Sequence, residues 1–376
     1  MPSTHDVIVI GGGAVGAACA RELAAAGRSV LVLEPGGDSG QAWRAAAGML
    51  APQIEADGAD PLLRLGIAAR DHYPPLAASL RESTGIDIGL WQEGIARVAG
   101  DDGEAGELRS KVASQQREGH TVAWLEPPEV RGRWPWLGPT AGALWSERDG
   151  ALDPAQLVHG LLTDARHHGA EVVSYRVTAV EQTGGRISGV SGKAGRYAAH
   201  DVVVAAGAWS GQIAGLPRTI PVQPVRGQMA ALPWPAGIGR AIVYHRDCYL
   251  LARGHEAILG STMEYVGFRP EVTPEGIARI FAATLALCPG LVRGKLRRTW
   301  AGLRPVTPDG LPIIGAEPRL PGLWYATGHG RNGILLSGLT GVLVRQLLSG
   351  ERPAEDLGPF TPERFDGSGS GSERLT

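Results

Sequence analysis

The chain has 376 residues, which is long enough for two domains. Hydrophobic residues make up 43% and charged residues 20%, an ordinary balance for a soluble globular protein. The net charge of -2 argues against a nucleic-acid-binding surface or a basic membrane-binding face. No apolar run is as long as a membrane span, and residues 1–10 predict a strand rather than a signal peptide, so we expect a cytoplasmic protein.

The three cysteines, Cys19, Cys248 and Cys288, show no CxxC spacing. This pattern predicts neither a disulfide framework nor a zinc site. The neighbouring His167 and His168 have no third partner nearby in sequence, so we predict no metal site there.

The N-terminal 34 residues contain the first informative motif. Residues 6–10 are an apolar, β-branched run that ends at Gly11, and a helix of small residues follows directly. Gly11 permits the tight turn, Gly13 lets a pyrophosphate approach the backbone, and Gly16 allows close packing of helix and strand. Glu34 ends the next strand, 18 residues after Gly16, where an acid would bind ribose hydroxyls. The motif predicts a dinucleotide site, and it fits NAD and FAD equally.

The segment after Glu34 predicts a second close approach to the nucleotide. Residues 36–49 are rich in glycine and alanine, which is typical of a loop against a cofactor, although alanines at 45–47 also favour a plain helix. Residues 61–84 then predict an amphipathic helix that is broken near Pro74 and Pro75.

The middle of the chain predicts two more helices and a buried strand. Residues 104–119 form a polar helical pattern, and Asp153 with Pro154 predicts the cap and first position of a helix that ends near His167. Residues 171–180 predict a strand that returns to the nucleotide-binding fold, with Val177 near an adenine. Residues 201–210 are an apolar strand that ends in small residues, as a buried parallel strand facing a ligand does.

Residues 219–296 predict a separate layer with strands at 241–244, 249–252 and 257–260 and a helix at 273–288. The last segment returns to glycine-rich turns at 300–305 and 309–315. Residues 327–336 begin a final helix that extends to about residue 348. The predicted fold class is therefore α/β, with a Rossmann-like domain assembled from separated pieces and a second domain with a mixed, α+β sheet.

These motifs together resemble the D-amino-acid oxidase superfamily of flavoenzymes, and within it most closely the glycine oxidases of thiamine biosynthesis. The resemblance extends from Asp6 to about Phe365 and is most specific at residues 300–305 and 328–336. It implies a flavoprotein of the GR2 type. The FAD-binding domain would comprise residues 1–84, 146–215 and 297–366, the substrate domain residues 85–145 and 216–296, and residues 367–376 a disordered tail.

The resemblance implies FAD held without a covalent bond, because Gly302 stands where related sarcosine oxidases have a tethering cysteine. Residues 42–44 are Ala-Trp-Arg where the family usually has Thr or Ser, so backbone contacts are expected there. The implied cofactor contacts, including the glycine motif, are Gly11, Gly13, Ala14, Val15, Gly16, Glu34, Pro35, Ala42, Trp43, Ala47, Gly48, Met49, Val177, His329, Gly330, Arg331, Asn332, Gly333, Ile334 and Leu335.

The implied substrate site needs a carboxylate anchor, for which a guanidinium is suited because it binds a carboxylate with two hydrogen bonds. Arg304, in an apolar run, is the predicted anchor, and Tyr249 would donate a second hydrogen bond. Met49 and Met263 would be apolar walls, and Arg331 would contact substrate or flavin. On sequence alone Tyr249 fits a half-buried strand aromatic equally well, and core packing is a strong alternative for Met49 and Met263.

The predicted reaction is oxidation of glycine or a small amino acid such as sarcosine or D-alanine, by hydride transfer to flavin N5. No catalytic base is required, because the lone pair of a neutral amine assists as the hydride leaves; His329 is better suited to a structural role. The products would be glyoxylate or another 2-oxo acid, ammonia or an amine, and hydrogen peroxide from O2. A dehydrogenase that passes electrons to a quinone, and a non-catalytic nucleotide-binding protein, are the alternatives. We expect a homo-oligomer.

Overall fold

The computed structural model describes residues 4–37, 40–55, 61–246 and 248–366. The predicted disordered tail, residues 367–376, lies outside these ranges. The strands of the described residues, in chain order, are β1 His5–Ile10, β2 Val30–Glu34, β3 Met49–Leu50, β4 Ile95–Ala99, β5 Ala123–Leu125, β6 Gly142–Ser146, β7 Gly150–Ala151, β8 Glu171–Ser174, β9 Ala179–Thr183, β10 Arg186–Gly192, β11 Gly195–Val204, β12 Gln223–Pro233, β13 Ile242–His245, β14 Cys248–Arg253, β15 Glu256–Gly260, β16 Arg298–Val306, β17 Ile313–Ala316 and β18 Leu323–Thr327.

The helices are mostly placed at the ends or on the faces of two sheets. The α-helices are α1 Ala14–Ala25, α2 Ala42–Ala45, α3 Pro52–Glu55, α4 Pro61–Thr84, α5 Asp102–Arg117, α6 Pro127–Arg133, α7 Pro154–His167, α8 Pro274–Leu287 and α9 Gly333–Leu348. Short 3-10 helices occur at Gly207–Gln212, Pro289–Arg293, Gly330–Asn332, Gly358–Phe360 and Pro362–Phe365. None of the helices in the described ranges is long and apolar enough to cross a membrane.

The first sheet has the order β17-β18-β11-β1-β2-β8, and β10 and β9 extend from β11 as an antiparallel layer. Strands β18, β11, β1, β2 and β8 are parallel to one another. The apolar side chains of β1 are buried on both faces, as a central parallel strand requires. Helices α7 and α9 both pack on α1. The glycine turn follows β1 directly, so it lies at the carboxyl ends of the parallel strands.

The second sheet has the order β16-β12-β15-β14-β13-β4-β6-β5. It is antiparallel except for the pairing of β13 with β4, so it is the mixed sheet that the sequence predicts. Helix α8 packs on it, and Thr273 caps that helix by accepting a hydrogen bond from the Gly276 amide. The predicted α/β fold with a Rossmann-like sheet and a second, mixed sheet is confirmed.

Strand β16 belongs to the second sheet through its pairing with β12, although its residues fall in the segment predicted to be cofactor-binding. Its other side contacts the first domain: the Leu303 amide donates to the Gly40 carbonyl at 2.8 Å. The strand thus lies along the boundary between the two sheets. The division of the chain into domains stays a prediction.

Two predicted elements differ from the structure. Residues 61–84 form one helix that includes both Pro74 and Pro75, so the predicted break is wrong. Tertiary packing outweighs the missing backbone donors, because α4 packs on α9 and the Tyr73 hydroxyl donates to the Ile334 carbonyl. The predicted strand over 171–180 is two strands, since β8 pairs with β2 whereas β9 pairs with β10.

Replacing Gly302 tests the packing of β16 on α2. A Cβ atom at Gly302 would lie 2.5 Å from the Ala45 Cβ, which is closer than real contacts allow. We expect Gly302→Ala to lower the free energy of unfolding by about 1–3 kcal/mol, because overpacking must displace one element, and to lower Tm accordingly. Gly290→Ala is the control, since a Cβ there meets nothing within 4 Å. Equal melting temperatures for the two variants would contradict this account of the packing.

Candidate active site

The turn between β1 and α1 is shaped by close backbone approaches. Gly11 has φ +104°, and a Cβ there would lie 2.5 Å from the Ala205 carbonyl oxygen. A Cβ at Gly16 would lie 1.9 Å from the Gly11 oxygen, so only glycine lets α1 pack this close to β1. Gly13 caps α1 without a side-chain hydrogen bond, and the first turn contains no acid. The amides at this helix N-terminus are therefore suited to a phosphate.

The Glu34 carboxylate lies beside the glycine turn at the end of β2. Its Oε2 accepts a hydrogen bond from the Gly12 amide at 2.7 Å. Its Oε1 accepts from Gln41 Nε2 at 2.7 Å and from the Gly36 amide at 3.1 Å. These bonds fix the carboxylate in the wall of a cavity, where an acid for ribose hydroxyls is expected.

One continuous cavity extends from the glycine turn to strand β16. Gly16 and Leu335, two of the predicted cofactor contacts, do not line it: Gly16 packs against β1, and Leu335 is buried in the helical core. The other predicted cofactor residues do line it, namely Gly11, Gly13, Ala14, Val15, Glu34, Pro35, Ala42, Trp43, Ala47, Gly48, Met49, Val177, His329, Gly330, Arg331, Asn332, Gly333 and Ile334.

The predicted substrate residues come together at the β16 end of this cavity, with one exception. Arg304, Arg331, Tyr249 and Met49 line it, but Met263 does not. The Met263 side chain is 46% exposed, because its neighbours Thr262 and Glu264 face inward and the chain alternates there. Met229 on β12, which the sequence did not mark, supplies an apolar wall.

The loop at residues 45–49 is held against the cavity by side chains of the second sheet. Trp300 Nε1 donates to the Ala45 carbonyl at 3.2 Å. Arg253 Nη2 donates to the Ala46 carbonyl at 3.4 Å and to that of Ala47. No local sequence pattern marks Arg253, because its partners are backbone atoms two hundred residues away.

The Arg304 guanidinium lies across the backbone of the neighbouring strand. A Cβ at Gly227 would lie 2.1 Å from Arg304 Nη1, so this strand must have glycine there. Nη1 donates to the Thr262 carbonyl at 3.1 Å and Nη2 to Ser261 Oγ at 2.7 Å. In the part of the chain that the structure describes, no carboxylate pairs with Arg304, and burial lowers the pKa of its guanidinium. A buried cation of this kind is suited to an anionic ligand.

Tyr249 lies close to Arg304 in the same cavity. Its hydroxyl donates to Met229 Sδ at 3.1 Å, and a Cβ at Gly260 would lie 2.6 Å from that hydroxyl oxygen. Burial raises the pKa of the Tyr249 phenol to about 12, so the hydroxyl stays protonated at neutral pH. It can therefore donate a hydrogen bond to a ligand beside Arg304.

A second charged group faces this end of the cavity. Arg331 Nε lies 3.1 Å from Glu55 Oε2, and Arg331 Nη2 donates to the Tyr244 hydroxyl. Burial raises the pKa of Glu55, whereas the Glu55 charge raises that of Arg331. Glu55 is the main charged cavity residue missing from the sequence prediction, because an acid near Asp57 and Asp60 in sequence has no pattern typical of a site.

His329 is buried in the cavity wall, and its Nε2 lies 3.1 Å from Thr340 Oγ1. Burial lowers the pKa of His329 to about 3, so the imidazole is neutral at physiological pH. Helix α9 begins at Gly333, after the short 3-10 helix that follows His329, with no side-chain cap at Asn332 and no acid in the first turn. A second helix N-terminus, suited to negative charge, thus faces the cavity.

Comparison with known families decides the class of protein. The model of the family described as "FAD dependent oxidoreductase" (DAO) matches residues 6–347. This chain belongs to that family. The predicted family and the predicted FAD cofactor are confirmed.

Several curated relatives match nearly the whole chain. The glycine oxidase of Geobacillus kaustophilus is 35% identical over 376 residues, covering 98% of this chain and 99% of that protein. The bifunctional protein ThiO/ThiG of Synechocystis sp. is 33% identical over 97% of this chain and 55% of its own length. Hydrogen cyanide synthase subunit HcnC of Pseudomonas aeruginosa is 31% identical over 97% of each chain.

Solved structures agree with this assignment. The crystal structure of the glycine oxidase from Geobacillus kaustophilus superimposes with a TM-score of 0.92 at 34% identity, over 95% of this chain and 98% of that one. The L-proline dehydrogenase from P. horikoshii gives a TM-score of 0.87 at 25% identity, over 97% and 99%.

The residues of the cavity fit an FAD. The glycine turn, the α1 amides and Glu34 would hold its ADP end, and the loop at 45–49 and the start of α9 would hold its reactive end. No cysteine occurs among the described residues that line the cavity, and Gly302 has no room for a side chain. That the FAD is held without a covalent bond stays a prediction. Among the same residues, no cluster of His, Cys, Asp or Glu is arranged to hold a metal ion.

Arg253 offers a test of how the second sheet supports the cofactor loop. We expect Arg253→Met to raise the Kd for FAD about tenfold, because the carbonyls of Ala46 and Ala47 lose a charged donor worth about 1.5–3 kcal/mol. Titration of the apoprotein with FAD measures this. Arg117→Met is the control, since Arg117 bonds only within an exposed helix turn. An FAD affinity equal to that of the control would show that Arg253 does not support the loop.

Proposed function

We propose that this FAD-dependent amino-acid oxidase acts on glycine or a small primary or secondary amino acid such as sarcosine or D-alanine. The products would be the 2-oxo acid, ammonia or an amine, and hydrogen peroxide. The observation that supports this most is the Arg304 guanidinium, which faces the cavity beside the Tyr249 phenol and has no acidic partner among the described residues.

Arg304 and Tyr249 would bind the substrate carboxylate, the guanidinium through charge-assisted hydrogen bonds and the phenol through its proton. Met49 and Met229 would limit the space for the substrate side chain, so small amino acids fit best. When bound, FAD supplies the hydride acceptor for the Cα–H bond. The protein supplies the orientation of that bond and a site from which water is excluded.

No side chain is proposed as a general base. His329 is neutral and already bonded to Thr340, and the phenol of Tyr249 keeps its proton at neutral pH. A substrate that binds as the neutral amine needs no base, because its lone pair assists the departure of the hydride. The start of α9, with Arg331 beside it, would stabilise negative charge on the reduced cofactor.

A role in thiamine biosynthesis is part of the proposal, supported by the likeness to ThiO/ThiG proteins. The cytoplasmic location and the homo-oligomer stay predictions. A dehydrogenase of the same fold, passing electrons to a quinone or another carrier, is the second candidate, since the chain is also similar to HcnC and to an L-proline dehydrogenase.

A substrate panel tests the proposal on the purified, FAD-loaded protein. Glycine, sarcosine, D-alanine and L-proline are compared for hydrogen peroxide release in air and for reduction of a soluble quinone without oxygen. We expect peroxide release with glycine or sarcosine at the highest kcat/KM. Quinone reduction without peroxide would favour the dehydrogenase, and no turnover of any of these amines would reject both.

Arg304→Ala tests the carboxylate anchor. We expect KM for the best substrate to rise about 10- to 100-fold, because a charge-assisted hydrogen bond to a carboxylate contributes about 1.5–3 kcal/mol. The visible flavin spectrum should remain, since Arg304 is assigned to the substrate. Arg352→Ala is a suitable control, because Arg352 is exposed. Unchanged kinetics in Arg304→Ala would rule out this residue as the anchor.

A further inference from the structure

We propose that Glu55 determines substrate specificity: by pairing with Arg331, it restricts the site to amines with a single carboxylate. The inference rests on the proposed function, since it assigns the substrate carboxylate to Arg304. It concerns the substituent that the substrate carries on its amine nitrogen, which the proposed function leaves open.

The β16 end of the cavity has a net positive charge. The charged residues among the described cavity lining are Glu34, Glu55, Arg176, Arg304 and Arg331. Glu34 lies beside the glycine turn, and Arg176 lies next to Val177, so both belong to the nucleotide end. Two cations and one anion remain at the other end, which leaves one positive charge for a ligand to neutralise.

The two cations differ in their partners. Arg304 bonds only neutral oxygens, those of Ser261 and Thr262. Arg331 lies 3.1 Å from the Glu55 carboxylate, and its charge contributes to the lowered pKa of Arg304, so the two guanidiniums are near enough to interact. The Glu55 charge therefore neutralises the second anchor that a dicarboxylate would need.

Arg331 is accessible to a ligand, and its pairing with Glu55 is what limits its ability to bind an anion. Its side chain is 42% exposed, whereas that of Glu55 is 13% exposed. Glu55 Oε2 is buried and receives no hydrogen bond from the residues described, because the Arg331 N–H is not directed at it. The pair is thus held by charge, and removal of that charge would free the guanidinium for another anion.

The position of Glu55 is fixed by a fully buried network. The Asp149 carboxylate accepts hydrogen bonds from the Gln53 and Ile54 amides, each at 3.2 Å, and from Arg70 Nη1 at 2.8 Å. Asp149 and Arg70 are themselves buried. The backbone that precedes Glu55 therefore cannot swing away to admit a second carboxylate.

The cations around Glu55 indicate how the site would bind anions if residue 55 were neutral. Burial raises the pKa of Glu55, and the charges of Arg331, Arg304, Arg97 and Lys111 act against burial, toward the ionised form. With a neutral residue at position 55, Arg304 and Arg331 would face this end of the cavity without an acid beside them. A second ligand carboxylate would then be attracted instead of repelled.

The test uses two ligands that contain no oxidisable amine. Methoxyacetate has one carboxylate, and diglycolate adds a second carboxylate to its methyl group. Each is titrated into the FAD-loaded protein, and the Kd is measured from the change in flavin absorbance or by calorimetry. Because neither ligand is turned over, the result is independent of the substrate panel, so failure of this inference and failure of the proposed function are distinguishable.

We expect wild-type protein to bind methoxyacetate at least tenfold more tightly than diglycolate. In Glu55→Gln the ratio of the two Kd values should shift by at least tenfold toward diglycolate. Glu55→Asp, which keeps the charge, should retain most of the wild-type discrimination. Glu351→Gln is the control for removing an acid from an ion pair elsewhere, since Glu351 pairs with Arg345 away from the cavity.

Equal affinities of wild-type protein for the two ligands, or a wild-type ratio in folded Glu55→Gln, would overturn the inference. If Glu55→Gln does not fold with FAD, Arg331→Met decides. Without the guanidinium, Glu55 is unopposed, so discrimination against diglycolate should widen about tenfold. An unchanged ratio in Arg331→Met would then reject the role of the pair.

Discussion

The packing of strand β16 between the two sheets is the constraint on which the rest of the site depends. Its backbone pairs with β12 along one edge, while Gly302 faces Ala45 and the Leu303 amide bonds the loop at Gly40. Because Arg304 follows directly, the same strand that closes the cofactor cavity also positions the proposed substrate anchor. Any shift of β16 would move both at once.

Close approaches explain several of the glycines in and around this cavity. Gly227 and Gly260 sit on strands beside Arg304 and Tyr249, and a Cβ at either would overlap those side chains. Gly11 and Gly16 have the same purpose at the nucleotide end, where the atoms in the way are backbone oxygens. A glycine in a strand usually lowers stability. At Gly227 and Gly260 this loss provides the space that the Arg304 and Tyr249 side chains occupy.

The electrostatics of the substrate end follow from burial. Burial leaves Tyr249 protonated and His329 neutral, so at neutral pH neither contributes charge. Arg304 remains as a cation with only neutral oxygen acceptors, an arrangement that is costly in the absence of an anion. The Glu55–Arg331 pair lies beside it and adds no net charge. Under the proposed function, this arrangement would favour a ligand with one carboxylate.

The sequence alone was sufficient for features that depend on local patterns. The apolar run before Gly11, the glycine spacing and Glu34 predicted the nucleotide turn, because strand, turn and helix signals lie within one short segment. Arg304 could also be predicted, since a guanidinium in an apolar run is unusual. The family resemblance added the cofactor and most of the cavity lining.

Tertiary structure decided what depends on distant contacts. It kept α4 intact through Pro74 and Pro75, turned Met263 toward solvent, and brought Met229 to the cavity. It also placed Glu55 next to Arg331, nearly three hundred residues away in sequence. Local propensity contains no information on such pairs, because their energies arise only when separate elements pack together. The sequence by itself therefore predicted the nucleotide turn and the Arg304 guanidinium, because both depend on local patterns, and only the fold decided that the Glu55–Arg331 pair lies beside Arg304.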